Sequence, residues 1–246
     1  MSSRYWIFAG MIGLWSALSP EAAVSGAAAD SMTDFEEEKV GTEPSSFAPV
    51  VGVWRVGKDG DAKVLVVDGG KWKQGQPSAG LADKARGLYG ERYAEFLDSV
   101  KSYAYFPLAV AKNVDDFKNG EISLRFKGVA GRIDQGAGIV FDLKPNGDYL
   151  VVRANPLENN LVLFKYVHGK RSSVEWVRNV PTETLKWHDL RVVVKGNHIQ
   201  GRLDGKLFLE HDWGKPISGR VGVWSKADSV VYFDDFTVKP AAGGTR

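Results

Sequence analysis

The sequence predicts an all-β fold: a jelly-roll sandwich of two antiparallel sheets with one short helix. Strand-like runs recur about every 8 to 13 residues from residue 120 onward, which is typical of β-sandwiches. They are separated by strong turn formers such as Pro145-Asn146-Gly147 and Asp204-Gly205. With 43% hydrophobic and 25% charged residues, the chain can bury a sizeable core.

The first half of the chain predicts three strands and the helix. Residues 51–56, 63–67 and 103–110 are rich in β-branched and aromatic residues. In residues 91–100, apolar side chains recur at three- and four-residue spacing, which predicts a short helix or a lid-like insertion on the sandwich. A loop covering a sheet edge is the alternative for this segment.

The second half predicts a succession of strands. In order, these strands cover residues 121–129, 136–143, 148–154, 161–167, 173–178, 186–194, 198–203 and 206–209. The second strand is continuously apolar after a small-residue start, as expected for a central strand covered on both faces. The third alternates and places Tyr149, Val151, Arg153 and Asn155 on one face, where the last two need polar partners or solvent.

Two strands, residues 219–224 and 230–238, joined by a polar turn at residues 226–229, are predicted to close the sandwich. Phe233 and Phe236 are three residues apart, so both can face the core only if a β-bulge lies between them. The bulge would turn Asp234 or Asp235 inward, toward backbone amides, an arginine or a calcium ion.

Composition and the N-terminus bear on location and partners. Residues 1–29 have the basic, apolar and small-residue regions of a cleaved secretory signal, leaving a sandwich domain at residues 30–239 and a flexible tail at residues 240–246. We therefore expect a periplasmic or secreted protein with no membrane span after cleavage. The formal net charge of +2, spread over interspersed signs, gives no indication of nucleic-acid binding.

Several segments resemble an exported bacterial family, the 3-keto-disaccharide hydrolase-like group of the concanavalin A-like lectin/glucanase superfamily. They comprise residues 117–126, 131–140, 149–160, 187–192, 203–206 and 219–238. The resemblance covers about residues 103–238 and is weaker before them. It implies a LamG-like jelly roll whose curved sheet offers a concave, sugar-sized groove. Fold alone does not imply a chemistry, because that superfamily includes hydrolases and binding modules.

The predicted function is carbohydrate or envelope-glycan binding on the concave sheet, without a cofactor. Guanidinium, amide and carboxylate groups beside flat aromatic rings suit sugar hydroxyls and ring faces. The predicted ligand-binding residues are Arg153, Asn155, Glu158, Asn160, Lys165, Tyr166, Trp176 and Arg178. Salt bridges and turn formation are the structural alternative for the same residues.

Whether the protein is also an enzyme stays open at this stage. The alternative function is a glycoside hydrolase or lyase of the 3-keto-disaccharide hydrolase type, with Glu158 or His188 as the acid or base. Retaining glucanases need two carboxyl groups about 5 Å apart, and the strand at residues 121–125 lacks such a pair. In the pair Trp187-His188, the tryptophan is expected in the core and the histidine at an edge.

No metal site is predicted from the histidines, because their spacing lacks the pairs that zinc sites show. Asp34, Glu36 and Glu38 would share one face if their segment were extended. They are interpreted as a solvated terminus, with a cation site or catalysis as alternatives.

Overall fold

The computed structural model describes residues 1, 30–71, 73, 75–103, 106–226 and 228–241 of the chain. Over these residues the predicted fold class is confirmed: two antiparallel sheets face each other. The predicted signal peptide at residues 1–29 lies outside the described residues except for Met1, as do residues 242–246 of the predicted tail.

One sheet has eight strands within the described residues, in the order β13-β12-β11-β6-β15-β4-β3, with β1 also paired to β15. Its strands are β1 (Ser31–Thr33), β3 (Trp54–Asp59), β4 (Ala62–Asp68), β6 (Gly120–Ala130), β11 (Trp187–Lys195), β12 (His198–Leu203), β13 (Lys206–Asp212) and β15 (Val230–Pro240).

The other sheet has seven strands in the described part of the chain, in the order β10-β9-β8-β7-β14-β5-β2. Its strands are β2 (Phe47–Val51), β5 (Leu108–Ala111), β7 (Ala137–Leu143), β8 (Tyr149–Asn155), β9 (Asn160–Val167), β10 (Lys170–Arg178) and β14 (Arg220–Ser225). As predicted, β7 lies in the middle of its sheet and every residue of it is buried.

Two helices, α1 (Leu81–Tyr89) and α2 (Tyr93–Tyr103), stand between β4 and β5 and are joined by a 3-10 turn. The helix expected at residues 91–100 is α2, and α1 was not predicted. The strand expected at residues 103–110 begins only at Leu108, because α2 extends to Tyr103. Among the described helices, none has the length and apolar composition that crossing a membrane requires.

The core between the sheets contains aromatic pairs from both ends of the chain. Phe47 contacts Phe35 and Phe236 at ring centroid distances of 6.0 and 5.1 Å, and Trp54 contacts Phe233 at 5.7 Å. All five side chains are buried, and complete burial of one such side chain is worth about 1.5–3 kcal/mol. Burial against the partner sheet therefore fixes the position of β15.

The two closing strands do not pair with each other. β14 pairs with β5 and β7 in the seven-stranded sheet, whereas β15 pairs with β4 and β6 in the eight-stranded sheet. The chain therefore passes from one sheet to the other between Ser225 and Val230. The bulge expected in β15 is present: its register with β6 shifts between Asp234 and Thr237, and Phe233 and Phe236 are both buried.

Candidate functional site

The outer face of the seven-stranded sheet, which points away from the sandwich core, carries most of the predicted binding residues. Strand alternation places Leu150 and Val152 of β8 in the core between the sheets, and Tyr149 and Val151 on the outer face. Arg153 and Asn155 continue the outer row, as the sequence predicted.

Half of this outer face is covered by the helices. Leu88 of α1 and Phe96 of α2 belong to one buried apolar cluster with Val110 of β5 and Val140 of β7. The lid-like interpretation of the helical segment therefore agrees with the structure, because the segment packs on a sheet face. At the other end of the sheet the outer-face side chains of β8 and β9 are buried as well, and the exposed side chains stand on edge strand β10.

A hydrogen-bonded cluster of three side chains lies at this end of the sheet. Arg153 donates from Nη1 to Asn160 Oδ1 at 2.6 Å and from Nη2 to Glu158 Oε2 at 2.7 Å. Asn160 Nδ2 donates to the same Glu158 oxygen at 2.9 Å. The Arg153 side chain is 2% exposed and the Glu158 side chain 36%. The arginine is thus held in place while the carboxylate reaches solvent.

Gly138 makes room for this buried arginine. It stands opposite Arg153 in the β7–β8 pairing. A Cβ at Gly138 would lie 3.1 Å from the Arg153 Cβ and 2.8 Å from Val151 Cγ2. A glycine is therefore required at this point for the arginine stem to lie against the neighbouring strand.

The pKa of Glu158 reflects these partners. Burial alone would raise it, but the hydrogen bonds from Asn160 and Arg153 and the charge of Arg153 outweigh burial and hold the pKa of Glu158 below its usual range. Glu158 is therefore a carboxylate at neutral pH, suited to accepting hydrogen bonds from hydroxyl groups.

An exposed tryptophan and two further arginines lie next to this cluster. Trp176 is 41% exposed, and its ring centroid lies 5.9 Å from the guanidinium carbons of both Arg153 and Arg178. Its ring meets that of buried Phe164 edge to face at 5.8 Å. Arg171 lies 4.8 Å from the Phe164 ring centroid. Flat apolar surface and charged donors are thus side by side.

A bulge in edge strand β10 brings these residues to one face. The register with β9 shifts between Ser173 and Glu175, so that Arg171 opposes Tyr166 before the bulge and Trp176 opposes Val162 after it. Tyr166 and Val162 both belong to the outer apolar cluster. Regular alternation would instead have turned Trp176 and Arg178 toward the core.

The other predicted binding residues are placed differently. Asn155 and Tyr166 are on the outer face but buried, at 0% and 2% exposure. The Asn155 amide is used by the protein, since it donates to Asp134 at 2.8 Å and accepts from the Gln135 backbone at 3.1 Å. Lys165 points to the opposite side, with its Nζ 5.9 Å from the Trp213 ring centroid. The structure thus brings together Arg153, Glu158, Asn160, Trp176 and Arg178.

Arg171 and Phe164 were missed in the sequence. Phe164 stands on the same face as Val162 by simple alternation, so its place next to Arg153 could have been inferred. Arg171 was missed because its side of the strand depends on the β10 bulge, which was not predicted.

His188 is buried inside the sandwich, and the expectation of a core tryptophan next to an edge histidine was wrong. His188 Nδ1 lies 2.8 Å from Asp204 Oδ2, and its Nε2 lies 3.0 Å from the Glu183 backbone. Trp187 is on the outer side, where it donates to Asp59 at 2.9 Å. The reason is alternation: Leu190 and Val192 face the core, and His188 has their parity.

The acidic segment near the N-terminus is not extended, so its three carboxylates do not share a face. Phe35 has a positive φ of 61° and begins a turn. Glu36 accepts from the Lys63 backbone at 3.0 Å, and Glu38 accepts from Ser45 at 2.8 Å. These acids anchor neighbouring loops. Across the described residues, no group of three or more His, Cys, Asp or Glu side chains is arranged to hold a metal.

Asp234 and Asp235 lie in the β15 bulge, with Asp235 at a positive φ of 51°. Asp234 Oδ1 accepts from the Asp235 backbone at 2.9 Å, and Asp235 Oδ2 lies 3.4 Å from Arg125 Nη1. Of the partners expected for these acids, the backbone amide and the arginine are present.

No protein-family model matches the chain, and no curated protein matches it in sequence. The specific 3-keto-disaccharide hydrolase-like group therefore stays an expectation from the resemblance.

Solved structures do match the fold. The carbohydrate-binding module CBM66 from Bacillus subtilis aligns with a TM-score of 0.55 at 11% identity, over 79% of this chain and 96% of that one. A native glycosidic hydrolase aligns with a TM-score of 0.52 at 12% identity, over 89% and 98%. A Crh5 transglycosylase in complex with NAG aligns with a TM-score of 0.51 at 13% identity, over 88% and 86%. At these identities the matches show the fold alone.

Proposed function

We propose that this protein is an exported β-sandwich that binds carbohydrate on the outer face of its seven-stranded sheet, around Trp176. The observation that carries the proposal is the exposed Trp176 ring, with the guanidinium carbons of Arg153 and Arg178 each 5.9 Å from its centroid and the partly exposed Glu158 side chain bound to Arg153. The binding surface is defined as Arg153, Glu158, Asn160, Phe164, Arg171, Trp176 and Arg178.

Each part of this binding surface suits a sugar. The C–H groups of a pyranose ring pack on an exposed indole face, while hydroxyl groups pair with carboxylates and guanidinium groups. Arg153 and Asn160 hold Glu158 in one orientation, so little side-chain entropy is lost on binding. Fold neighbours named as a carbohydrate-binding module and as enzymes of glycosides make sugars the first ligand class to test.

We favour binding over the alternative, a glycoside hydrolase or lyase of the 3-keto-disaccharide hydrolase type. A catalytic acid needs a raised pKa to hold its proton near neutrality, whereas hydrogen bonds lower the pKa of Glu158 despite its partial burial. His188 is buried on the other sheet with both ring nitrogens engaged. The two residues considered for acid or base chemistry are therefore arranged for structure or for accepting hydrogen bonds.

The test is affinity electrophoresis of the purified protein through gels containing dextran, laminarin, xylan or polygalacturonate. We expect at least one polysaccharide to retard the protein and Trp176→Ala to abolish the retardation. Trp187→Ala is the matched control, because Trp187 is a partly exposed tryptophan on the opposite sheet. Equal retardation of Trp176→Ala and wild type, or no retardation in any gel, would contradict the proposal.

A further inference from the structure

The charge on the binding surface identifies a class of ligand. We propose that the surface around Trp176 selects acidic glycans, whose sugar units carry carboxylate or sulfate groups. This inference rests on the proposed function and names the substrate class of the same site.

Three guanidinium groups converge on two touching aromatic rings. Arg153 and Arg178 both lie 5.9 Å from the Trp176 centroid, and Arg153 and Arg171 lie 5.5 and 4.8 Å from the Phe164 centroid. Glu158 supplies the one carboxylate in the defined binding surface, and Arg153 already pairs with it at 2.7 Å. The surface therefore carries two positive charges in excess.

The excess charge belongs to the two exposed arginines. Arg171 and Arg178 are exposed on β10, and no carboxylate within the described residues forms an ion pair with either. The nearest acid in sequence, Glu175, opposes Leu163, whose side chain faces the sandwich core. Alternation therefore turns Glu175 away from the arginines.

Lys226 does not alter this balance. Its Nζ lies 2.8 Å from Asp134 Oδ2, which is 2% exposed, so this pair is neutral as a whole. A guanidinium that has no carboxylate partner binds a carboxylate or sulfate through two parallel hydrogen bonds, which are stronger than those to a hydroxyl group. A neutral glycan carries no such anionic group, so it could not form these paired hydrogen bonds with the arginines.

The bulge in β10 sets the positions of the two arginines. Arg171 opposes Tyr166 and Arg178 opposes Asn160, at opposite ends of one strand pair. These partners are six residues apart on β9, and a strand rises about 3.3 Å per residue, so the arginine backbones are separated by roughly 20 Å. Trp176 lies between them. The guanidinium groups reach back toward the adjoining Phe164 and Trp176 rings, so the surface fits acidic groups on or next to the sugar ring that packs on the tryptophan.

The experiment measures binding to two matched pairs of polymers at about 0.15 M salt, where long-range attraction is screened. Polygalacturonate is compared with its methyl ester, and dextran sulfate with dextran. We expect one or both acidic polymers to bind at least tenfold more tightly than the neutral counterpart. The double variant Arg171→Gln/Arg178→Gln should lose that preference, and Arg202→Gln on the opposite sheet should keep it.

An outcome that contradicts only the acidic preference can be distinguished from one that contradicts the proposed function. If a neutral polymer binds as tightly as its acidic counterpart and Trp176→Ala abolishes binding, the acidic preference is overturned and the proposed function stands. If Arg202→Gln weakens binding as much as the double variant does, the attraction is nonspecific and the inference is overturned. If no polymer binds, the proposed function falls and the inference with it. A preference for one acidic pair alone would show whether carboxylate or sulfate is recognised.

Discussion

Asp228 shows how one side chain can hold a connection between the two sheets. It lies in the turn between β14 and β15, at a positive φ of 60°. Its Oδ2 accepts from the backbone amides of Arg132 and Ile133 at 2.8 Å each, and its Oδ1 accepts from that of Asp134 at 2.9 Å. Although burial acts to raise it, these hydrogen bonds hold the pKa of Asp228 below its ordinary value.

Replacement of the Asp228 carboxylate should destabilise the folded protein. Asp228→Ala leaves three amide groups without their acceptor, and we expect it to lower the free energy of unfolding by about 2–3 kcal/mol. Asp228→Asn tolerates the positive φ and keeps one acceptor oxygen, so it should lose less. Urea unfolding of both variants measures the difference. An alanine variant as stable as wild type would show that water replaces the carboxylate.

The placement and partners of individual side chains could be predicted only in part from the sequence. The pattern at residues 148–155 correctly placed Arg153 and Asn155 on one face, because strand alternation is a local property. Their hydrogen-bond partners differ for a nonlocal reason. Asn155 donates to Asp134, about twenty residues earlier in the chain, whereas Arg153 donates to Asn160. Which polar residue stays available for a ligand depends on such tertiary partners.

At the scale of secondary-structure elements, β-bulges determine which side chains face the core and which face the binding surface. The β15 bulge was predictable because two phenylalanines with the wrong spacing both needed the core. The β10 bulge was missed although Val174 and Val177, which both pack against the core, have the same three-residue spacing, while Trp176 stays exposed. Helix α1 was missed although Leu81, Ala85 and Leu88 recur at helical spacing, because the segment is short and contains a glycine and its helix depends on packing against β2 and α2.

The β15 bulge gives the protein a pH-dependent stability. Burial, together with the negative charges of Asp235 and Glu36, raises the pKa of Asp234 to about 6, against the opposing hydrogen bond from the Asp235 amide and the charge of Arg125. A carboxyl with a raised folded-state pKa binds its proton more tightly in the folded state. Its contribution is therefore fully present below the unfolded pKa of about 4 and is lost as the pH rises through about 6.

Asp234→Asn should remove this dependence. Because the carboxyl is only partly buried, we reduce the expected effect to about 1 kcal/mol of unfolding free energy. The variant should match wild type near pH 4 and be more stable by that amount near pH 7.5. Thermal unfolding of both proteins across this range measures the difference curve. A constant offset between them at every pH would show that Asp234 does not titrate in that window.

At the scale of the whole molecule, the sequence predicted the class of fold and most strand positions, but not the assignment of strands to sheets. Residues 219–238 have the local signals of a hairpin, yet β14 and β15 lie in different sheets. Burial determines the sheet in which β15 lies, because Phe233 and Phe236 complete an aromatic core with residues near the other end of the chain. Such pairings have no signature in local periodicity.

The same architecture determines where a ligand can bind. The helices cover the β2, β5 and β14 half of the outer face, and the β8–β10 half carries the exposed tryptophan and the arginines. One face of one sheet is thus divided into a part under the helices and a charged edge at β10, whose side chains reach solvent. We propose that the ligand binds at this charged edge.

A crystal structure of the protein soaked with an oligosaccharide of a polymer that it binds tests this claim most directly. We expect a sugar ring stacked on Trp176, with its polar groups within hydrogen-bond distance of Glu158 or of Arg171 and Arg178. A sugar bound elsewhere, such as on the Trp187 side of the eight-stranded sheet, with the Trp176 surface empty, would contradict it.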